Sequence, residues 1–240
     1  MKAMIGILGG MGPLATVDFL RKLVERTPAS RDQEHVPLIV YSVPQIPDRT
    51  AGILGAGESP LAAMRAGMQM LERAGAKAIA IPCNTAHYWY EDLARACSVP
   101  LLHIADSACA ALGEGIVNVG LLGTAGTLAA GFYQQRLAAR GYQCLINRQD
   151  EIDTWDMPGI HMVKAGEVRG GGAMLQQALA ALFDRGAQRV ILACTETPIG
   201  LECIAAPQLP RCVDATIALA DACIQWSTLN GQGGAPTATA

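Results

Sequence analysis

The sequence has little charge and few aromatic residues. Charged residues make up 16% of the 240 positions and aromatic residues 5%, and the net charge is −3. A protein that binds nucleic acid electrostatically needs a surplus of lysine and arginine, which this chain lacks. Disordered chains are polar, whereas 51% of these residues are hydrophobic. We therefore expect a compact globular protein without a nucleic-acid partner.

Long apolar runs are absent as well. No stretch approaches the roughly 18 to 20 consecutive apolar residues of a membrane span. The first apolar run, residues 4–8, is too short for a signal peptide before Gly9 and Gly10 interrupt it. We therefore expect no membrane partner and a location in the cytoplasm.

Metal-binding and disulfide patterns are also missing. The eight cysteines include no C-x-x-C pair, and His35, His103 and His161 show no partner spacing, so we predict no metal site and no disulfide framework. Four cysteines lie within helical patterns of Ala, Ile and Leu and are predicted to be small core residues: Cys97, Cys109, Cys203 and Cys223.

Two other cysteines each follow a short apolar run typical of a buried strand. Cys83 follows AIAIP at 78–82, and Cys194 follows RVILA at 189–193. Setting Cys83 on Cys194 shifts the sequence by 111 residues, and setting the glycine turn at 9–12 on that at 123–126 shifts it by 114. Two matches at nearly one offset indicate a duplicated structural unit.

The alternation of strand and helix patterns predicts an α/β fold. We predict two pseudosymmetric three-layer α/β domains with mainly parallel sheets and an active site in the cleft between them. The first domain would comprise residues 1–104 and about 210–228, the second residues 105–209, and residues 229–240 would form a flexible tail. The predicted strands are 4–8, 38–43, 78–83, 100–104, 117–122, 142–147 and 189–193.

Helices are predicted to begin near Pro13 and to cover 60–75, 85–97, 106–112, 173–184 and 215–226. Residues 44–50 contain two prolines and are predicted as a loop. Residues 159–166 are predicted as a loop or a short strand.

If the two halves face each other about a pseudo-twofold axis, Cys83 and Cys194 lie on opposite walls of one cleft. Two thiols on opposite faces of a small molecule suit a two-base racemisation. One thiolate removes the proton from Cα, and the other thiol returns a proton to the opposite face. Each cysteine precedes small polar residues at a predicted helix start, where the helix lowers a thiol's pKa, so we expect both to be partly thiolate.

The Cα proton of an amino acid is a very weak acid, so the site also needs donors aimed at the neighbouring carboxylate. The two glycine turns, together with Asn84, Thr85 and Thr195, could stabilise the enediolate, although a short glycine turn can equally be a tight connection without a ligand. Arg49 and Lys164 lie among apolar and glycine residues and would suit a second carboxylate, although either could be a surface charge.

Two residues near the cysteines have more than one interpretation. His87, four residues after Cys83, could serve as its base, but we favour local capping or packing. Glu196, two residues after Cys194, could tune that thiol or hold a loop.

Four motifs together resemble the aspartate/glutamate racemase family, and within it the aspartate racemases: GGMGPLAT at 9–16, PCNTAH at 82–87, VKAG at 163–166 and ACTETP at 193–198. The likeness runs from Met1 to about Trp226. It implies a cofactor-independent, usually dimeric racemase with Cys83 and Cys194 as the acid/base pair, so we expect no cofactor and a homodimer. By match to the family's substrate loops, the ligand would be lined by Met11, Gly12, Arg49, Thr50, Ala51, Asn84, Thr85, Ala86, Thr124, Thr127, Lys164 and Thr195. Arg49 and Lys164 would lie near its side-chain carboxylate.

The chain departs from the glutamate racemases of cell-wall synthesis, which have an Asp-Ser pair in the first glycine turn and a histidine where Glu196 stands. Two cysteines argue against the arylmalonate decarboxylases, which need one. We therefore predict interconversion of L- and D-aspartate. The alternatives are a broad-specificity aspartate/glutamate racemase, a cis–trans isomerase of a dicarboxylate such as maleate, and a non-catalytic amino-acid-binding regulatory protein.

Overall fold

The structure is a computed structural model that describes residues 2–231. It contains two four-stranded sheets, one in each half of the chain, and all strand pairs in both are parallel. The first sheet has the order β2-β1-β3-β4, with β1 Ile5–Gly9, β2 Leu38–Ser42, β3 Ala78–Ala80 and β4 Leu101–Leu102. The second has the order β6-β5-β7-β8, with β5 Asn118–Gly123, β6 Gln143–Ile146, β7 Arg189–Ala193 and β8 Cys212–Asp214. The predicted fold class is confirmed.

Helices connect and cover these strands. In the first half they are α1 Pro13–Arg26, α2 Arg49–Ile53, α3 Leu61–Arg73, α4 Tyr90–Arg95 and α5 Ile104–Ala110. In the second half they are α6 Ala125–Ala130, α7 Phe132–Ala139, α8 Gln149–Glu151, α9 Met157–Lys164, α10 Val168–Asp184, α11 Glu196–Cys203 and α12 Ala215–Leu229. Short 3-10 turns lie at Asp32–Glu34, Thr85–Trp89 and Leu209–Arg211, and a π-helical turn at Ile152–Asp156 precedes α9. Within residues 2–231, no helix combines the length and the apolarity needed to cross a bilayer.

The pairing registers reproduce the repeat seen in the sequence. Ile5 of β1 pairs with Ala78 of β3, and Val119 of β5 pairs with Arg189 of β7. These pairs are related by the two offsets found from the glycine turns and the cysteines. Both central strand pairs therefore end at equivalent places, so their carboxyl ends carry equivalent residues.

One hydrophobic core spans both halves. Ile5 and Ile7 of the first sheet and Val119 and Leu121 of the second are fully buried in the same cluster, together with Phe19 of α1. The opposite face of each sheet packs against its own helices, as Met64 of α3 and Leu175 of α10 illustrate. The shared core fixes the two sheets relative to each other, and with them the strand ends that face across the cleft.

The final helix ties the two halves together at the back of the molecule. Helix α12 packs against α1 and α5. Buried Lys22 of α1 lies 2.6 Å from Asp18 and 2.6 Å from Asp214, which caps α12 by accepting hydrogen bonds from the backbone N–H groups of Thr216 and Ile217. Removing one partner of such a buried ion pair would destabilise the fold, because it would leave an uncompensated buried charge.

The most substantial correction concerns residues 159–166, predicted as a loop or short strand. Residues 159–164 form most of helix α9, which has Pro158 in its first turn and ends at Lys164. Ile160 and Val163 lie on one helical face and are fully buried, and Gly159 contacts Gly171 of α10 so closely that an added Cβ would lie 3.0 Å from the Gly171 carbonyl oxygen. This close packing favours the helix despite the low helix propensity of glycine.

Smaller corrections concern element ends. The loop predicted for 44–50 ends at Asp48, because the Asp48 side chain accepts the Ala51 N–H at 2.8 Å and starts α2 at Arg49. The helix predicted for 85–97 is a 3-10 turn followed by the shorter α4, and α10 begins at Val168 rather than 173. Cys203 is exposed rather than in the core. Of the predicted tail, Leu229 ends α12, and residues 232–240 lie outside the described residues.

Candidate active site

The carboxyl ends of β3 and β7 bring Cys83 and Cys194 to the wall of one small cavity. Both cysteines are buried, with 5% and 4% of their surface exposed. Ten further residues line the same cavity: Met11, Asp48, Arg49, Thr50, Asn84, Thr85, Thr124, Lys164, Thr195 and Glu196. All but Asp48 are predicted from the sequence, so the structure brings most of the predicted site together.

Four predicted residues lie beside this cavity rather than on its wall. Gly12 lines an adjoining cavity of about 360 Å³, and Ala51 lines another of about 260 Å³. Thr127 is fully buried behind Thr85, and Ala86 is buried in the hydrophobic cluster of the first half. Asp48 and Lys164 line all three cavities, so the cavities adjoin one another at these two residues.

The two cysteines are held in similar ways by the turns that follow them. The carbonyl oxygen of Cys83 accepts a hydrogen bond from Nδ1 of His87 at 2.9 Å. The carbonyl oxygen of Cys194 accepts one from the Thr197 hydroxyl at 2.6 Å. In each half a side chain three or four residues along the turn fixes the backbone at the cysteine.

His87 itself is engaged on both ring nitrogens. While Nδ1 bonds the Cys83 carbonyl, Nε2 accepts the Ile104 N–H at 3.3 Å. Burial lowers the pKa of His87 to about 4, so the ring is neutral at pH 7. With neither nitrogen free, His87 is a packing residue, as the favoured interpretation of the sequence has it.

Cys194 is the thiol whose protonation state the structure defines. Its Sγ donates to Oε2 of Glu196 at 3.1 Å, and the Thr195 hydroxyl donates to the same oxygen at 2.9 Å. Burial is the largest cause, and the charge of Glu196 the second, that raises the pKa of Cys194 well above its ordinary value. The expectation of a partly ionised Cys194 is therefore wrong, because these effects outweigh the helix N-terminus. Glu196 contacts the thiol directly.

Three threonine hydroxyls join the two halves beside Cys83. Thr85 lies 3.0 Å from Thr124 and 2.9 Å from Thr127, and these two lie 3.0 Å from each other. Gly126 lets α6 approach this close to α2, since an added Cβ would lie 2.9 Å from the Thr50 Cα. The triangle holds hydroxyl donors at the cavity wall.

A second hydrogen bond between the halves fixes Asn84. The hydroxyl of Tyr133, on α7, lies 2.6 Å from Oδ1 of Asn84, and both side chains are buried. Asn84 is predicted from the sequence, whereas Tyr133 and Asp48 are not. The N-cap position of Asp48 before a short helix could have indicated it, whereas no spacing signal connects Tyr133 to Asn84.

Two cationic side chains reach the cavity without an anionic partner. Arg49 is buried, and its guanidinium donates to the carbonyl oxygens of Ile46, Pro47 and Met11, while its Nε has no partner among the residues that the structure describes. Lys164 also lines the cavity. Desolvation lowers its pKa, but the nearby Glu196 and the two cysteines raise it more. Among residues 2–231 neither cation forms a salt bridge. Because neither cation is neutralised by an ion pair, each can interact with an anionic group of a ligand.

The first glycine turn serves mainly to shape the chain. Gly10 has φ +93°, and an added Cβ there would overlap the Val43 backbone. Its N–H already donates to the Thr16 hydroxyl at 2.8 Å and is not free for a substrate. Across the described part of the chain, no cluster of three or more His, Cys, Asp or Glu side chains could hold a metal ion.

Comparison with known proteins agrees with this geometry. The sequence profile of the family described as Asp/Glu/Hydantoin racemase matches residues 8–223. The chain is 30% identical over 202 residues to the broad-specificity amino-acid racemase RacX of Bacillus subtilis (strain 168), covering 80% of this chain and 85% of that protein. The solved structure of Picrophilus torridus aspartate racemase matches with a TM-score of 0.83 and 32% identity, over 94% of each chain. An aspartate racemase homologue from Pyrococcus horikoshii OT3 matches with a TM-score of 0.73 and 25% identity, over 95% of this chain and 100% of that one.

Proposed function

The chain belongs to the Asp/Glu/hydantoin racemase family, and on this premise we propose that it interconverts L- and D-aspartate by proton transfer through Cys83 and Cys194. The observation that carries the proposal is the placement of the two buried cysteines, from equivalent strand ends, on the wall of one cavity. The reaction would need no cofactor, because the two thiols supply both the base and the acid.

The protonation of Cys194 supports an order for the first step. Burial and Glu196 raise the pKa of this thiol, so Cys194 is the proton donor in the ligand-free protein. Cys83 is then the group that removes the Cα proton of the first enantiomer. After one turnover the roles are exchanged, and the enzyme either binds the opposite enantiomer or returns to its initial state by exchange with water.

Removing the Cα proton creates an enediolate, and its stabilisation requires donors at the carboxylate. The hydroxyls of Thr85 and Thr124 and the Asn84 amide belong to residues that line the same cavity as Cys83, so they are the donors for this carboxylate. Donors held in a buried cavity stabilise developing charge more strongly than water does, because they need no reorganisation.

The preference for an acidic side chain rests on the two unpaired cations. If the hydroxyl and amide donors bind the substrate carboxylate next to Cα, Arg49 and Lys164 are left to bind a second carboxylate. Aspartate satisfies both groups, and its length differs from that of glutamate by only one methylene, which discriminates weakly. A broader substrate range is the second candidate, favoured by the similarity to RacX and by the two adjoining cavities.

The proposal is tested by incubating the purified, reduced protein with single enantiomers of aspartate, glutamate and alanine and following the opposite enantiomer by chiral chromatography. We expect inversion of aspartate and no comparable inversion of alanine. Cys83→Ala and Cys194→Ala should each abolish it, whereas Cys97→Ala, at a half-buried cysteine outside the cavity, should not. An active Cys83→Ala or Cys194→Ala protein would overturn the acid/base assignment.

A further inference from the structure

Tyr133 is a buried residue next to the proposed chemistry that the mechanism above does not use. It lies on α7 in the second half of the chain, is fully buried, and packs against Phe132 with ring centroids 5.1 Å apart. Gly131, with φ +72°, separates α6 from α7 and turns the chain between them. The Tyr133 hydroxyl therefore reaches across to Asn84 in the first half, at 2.6 Å.

The hydrogen-bonding requirements of Tyr133 fix which way the Asn84 amide points. Within residues 2–231, Asn84 is the only hydrogen-bond partner of the Tyr133 hydroxyl. Burial raises the pKa of Tyr133 well above its ordinary value, so the hydroxyl keeps its proton and must donate it. The acceptor must be Oδ1, which leaves Nδ2 on the other side of the amide.

That nitrogen is buried without a partner. Asn84 is 2% exposed, and Nδ2 has no hydrogen-bond acceptor among the described residues. A buried amide N–H without an acceptor is unfavourable unless a ligand supplies the acceptor. Asn84 lines the cavity that holds both cysteines and follows Cys83 directly in the chain.

We propose that Tyr133 is a positioning residue that holds the Asn84 amide with Nδ2 toward the cavity, where it donates to the substrate carboxylate bonded to Cα. The inference rests on the proposed racemisation and assigns to it a residue outside the cavity wall. Without the hydroxyl, the amide can rotate by half a turn and present its oxygen to the carboxylate, which repels it. Because Tyr133 comes from the second half, this donor is oriented only when the two halves are assembled.

The test compares kcat/KM for aspartate in four proteins: wild type, Tyr133→Phe, Asn84→Ala and the double variant. In Tyr133→Phe the hydrogen bond from Asn84 Nδ2 to the charged substrate carboxylate is lost or misdirected. We therefore expect kcat/KM to fall about 10- to 100-fold. Tyr142→Phe is the matched control, because its hydroxyl bonds the Gly113 carbonyl away from the site. It should retain wild-type activity.

The double variant separates positioning from a merely structural effect. If Tyr133 acts through Asn84, adding Tyr133→Phe to Asn84→Ala causes no further loss of kcat/KM, whereas independent effects multiply. Asn84→Asp keeps an acceptor for Tyr133 but replaces the nitrogen with oxygen, and should be less active than Asn84→Ala.

Wild-type kcat/KM in Tyr133→Phe, or multiplied losses in the double variant, would overturn the inference while the proposed function stands. An Asn84→Asp protein at least as active as Asn84→Ala would also overturn it, even if Tyr133→Phe failed to fold. A wild-type protein that inverts no acidic amino acid would overturn the proposed function and this inference together.

Discussion

Replacing Asp156 with asparagine should stabilise the protein at neutral and alkaline pH. The carboxyl group is fully buried at the end of the π-helical turn before α9. Its Oδ1 accepts a hydrogen bond from Asn147 at 2.8 Å, and its Oδ2 has no partner within the described part of the chain. Burial raises the pKa of Asp156 from 3.8 to about 7. The folded protein thus binds this proton more tightly than the unfolded chain.

The sign of the pH dependence follows from that difference. The penalty for burying the charge is absent below the unfolded-state pKa of 3.8, grows as pH rises, and is complete above the folded-state pKa of about 7. A shift of about three pKa units corresponds to about 4 kcal/mol of unfolding free energy. The amide introduced by Asp156→Asn carries no charge, so the variant should gain up to this amount relative to wild type as pH rises.

Urea unfolding followed by circular dichroism at several pH values measures the effect. The quantity to plot is the free energy of unfolding of Asp156→Asn minus that of wild type, which should increase with pH and then level off. Asp153→Asn, an exposed residue on the same turn, controls for the change in net charge. A difference that stays constant with pH would refute the assignment of a buried, destabilising carboxylate.

Two further substitutions test the charges at the back of the molecule and in the site. Lys22→Met leaves Asp18 and Asp214 without their buried cation, so the unfolding free energy at neutral pH should fall by about 3 to 5 kcal/mol in urea titrations; a loss below about 1 kcal/mol would contradict the buried ion-pair account. Glu196→Gln removes a charge that raises the pKa of Cys194, so alkylation of this thiol, followed by mass spectrometry, should begin at lower pH. An unchanged pH profile would show that Glu196 does not act on the thiol.

The sequence predicts the strand ends well because their signal is local. A buried parallel strand is an uninterrupted apolar run, and the polar residues that follow it must lie at the carboxyl edge of the sheet. Cys83 and Cys194 are therefore located by their own neighbours, and the repeat offset relates them. The registers of β1 with β3 and of β5 with β7 follow the same offsets.

Helix α9 and the orientation of Asn84 depend on contacts that the sequence does not contain. In helix α9, Gly159 packs closely on Gly171, and this tertiary contact favours the helix despite the cost of glycine in a helix. Tyr133 lies 49 residues from Asn84, and their hydrogen bond exists only through the way the halves meet. No periodicity carries that information.

The sequence mispredicts the protonation of Cys194 because burial affects its pKa more strongly than the helix N-terminus does. A helix N-terminus stabilises a nearby anion by about 0.3 to 1 kcal/mol, whereas full burial can shift a pKa by several units. The negative charge of Glu196 raises the pKa of Cys194 as well. The local sequence shows the helix start, but the burial that outweighs it appears only in the folded structure.

The central claim, that two thiols transfer protons on opposite faces of Cα, is tested most directly by isotope incorporation. Wild-type enzyme is given L-aspartate in deuterated water, and both enantiomers are analysed by mass spectrometry at low conversion. We expect D-aspartate to carry deuterium at Cα from the first turnovers while the remaining L-aspartate is unlabelled, because separate groups remove and return the proton. D-aspartate that retains the original hydrogen would show that a single base moves it, and would contradict the account.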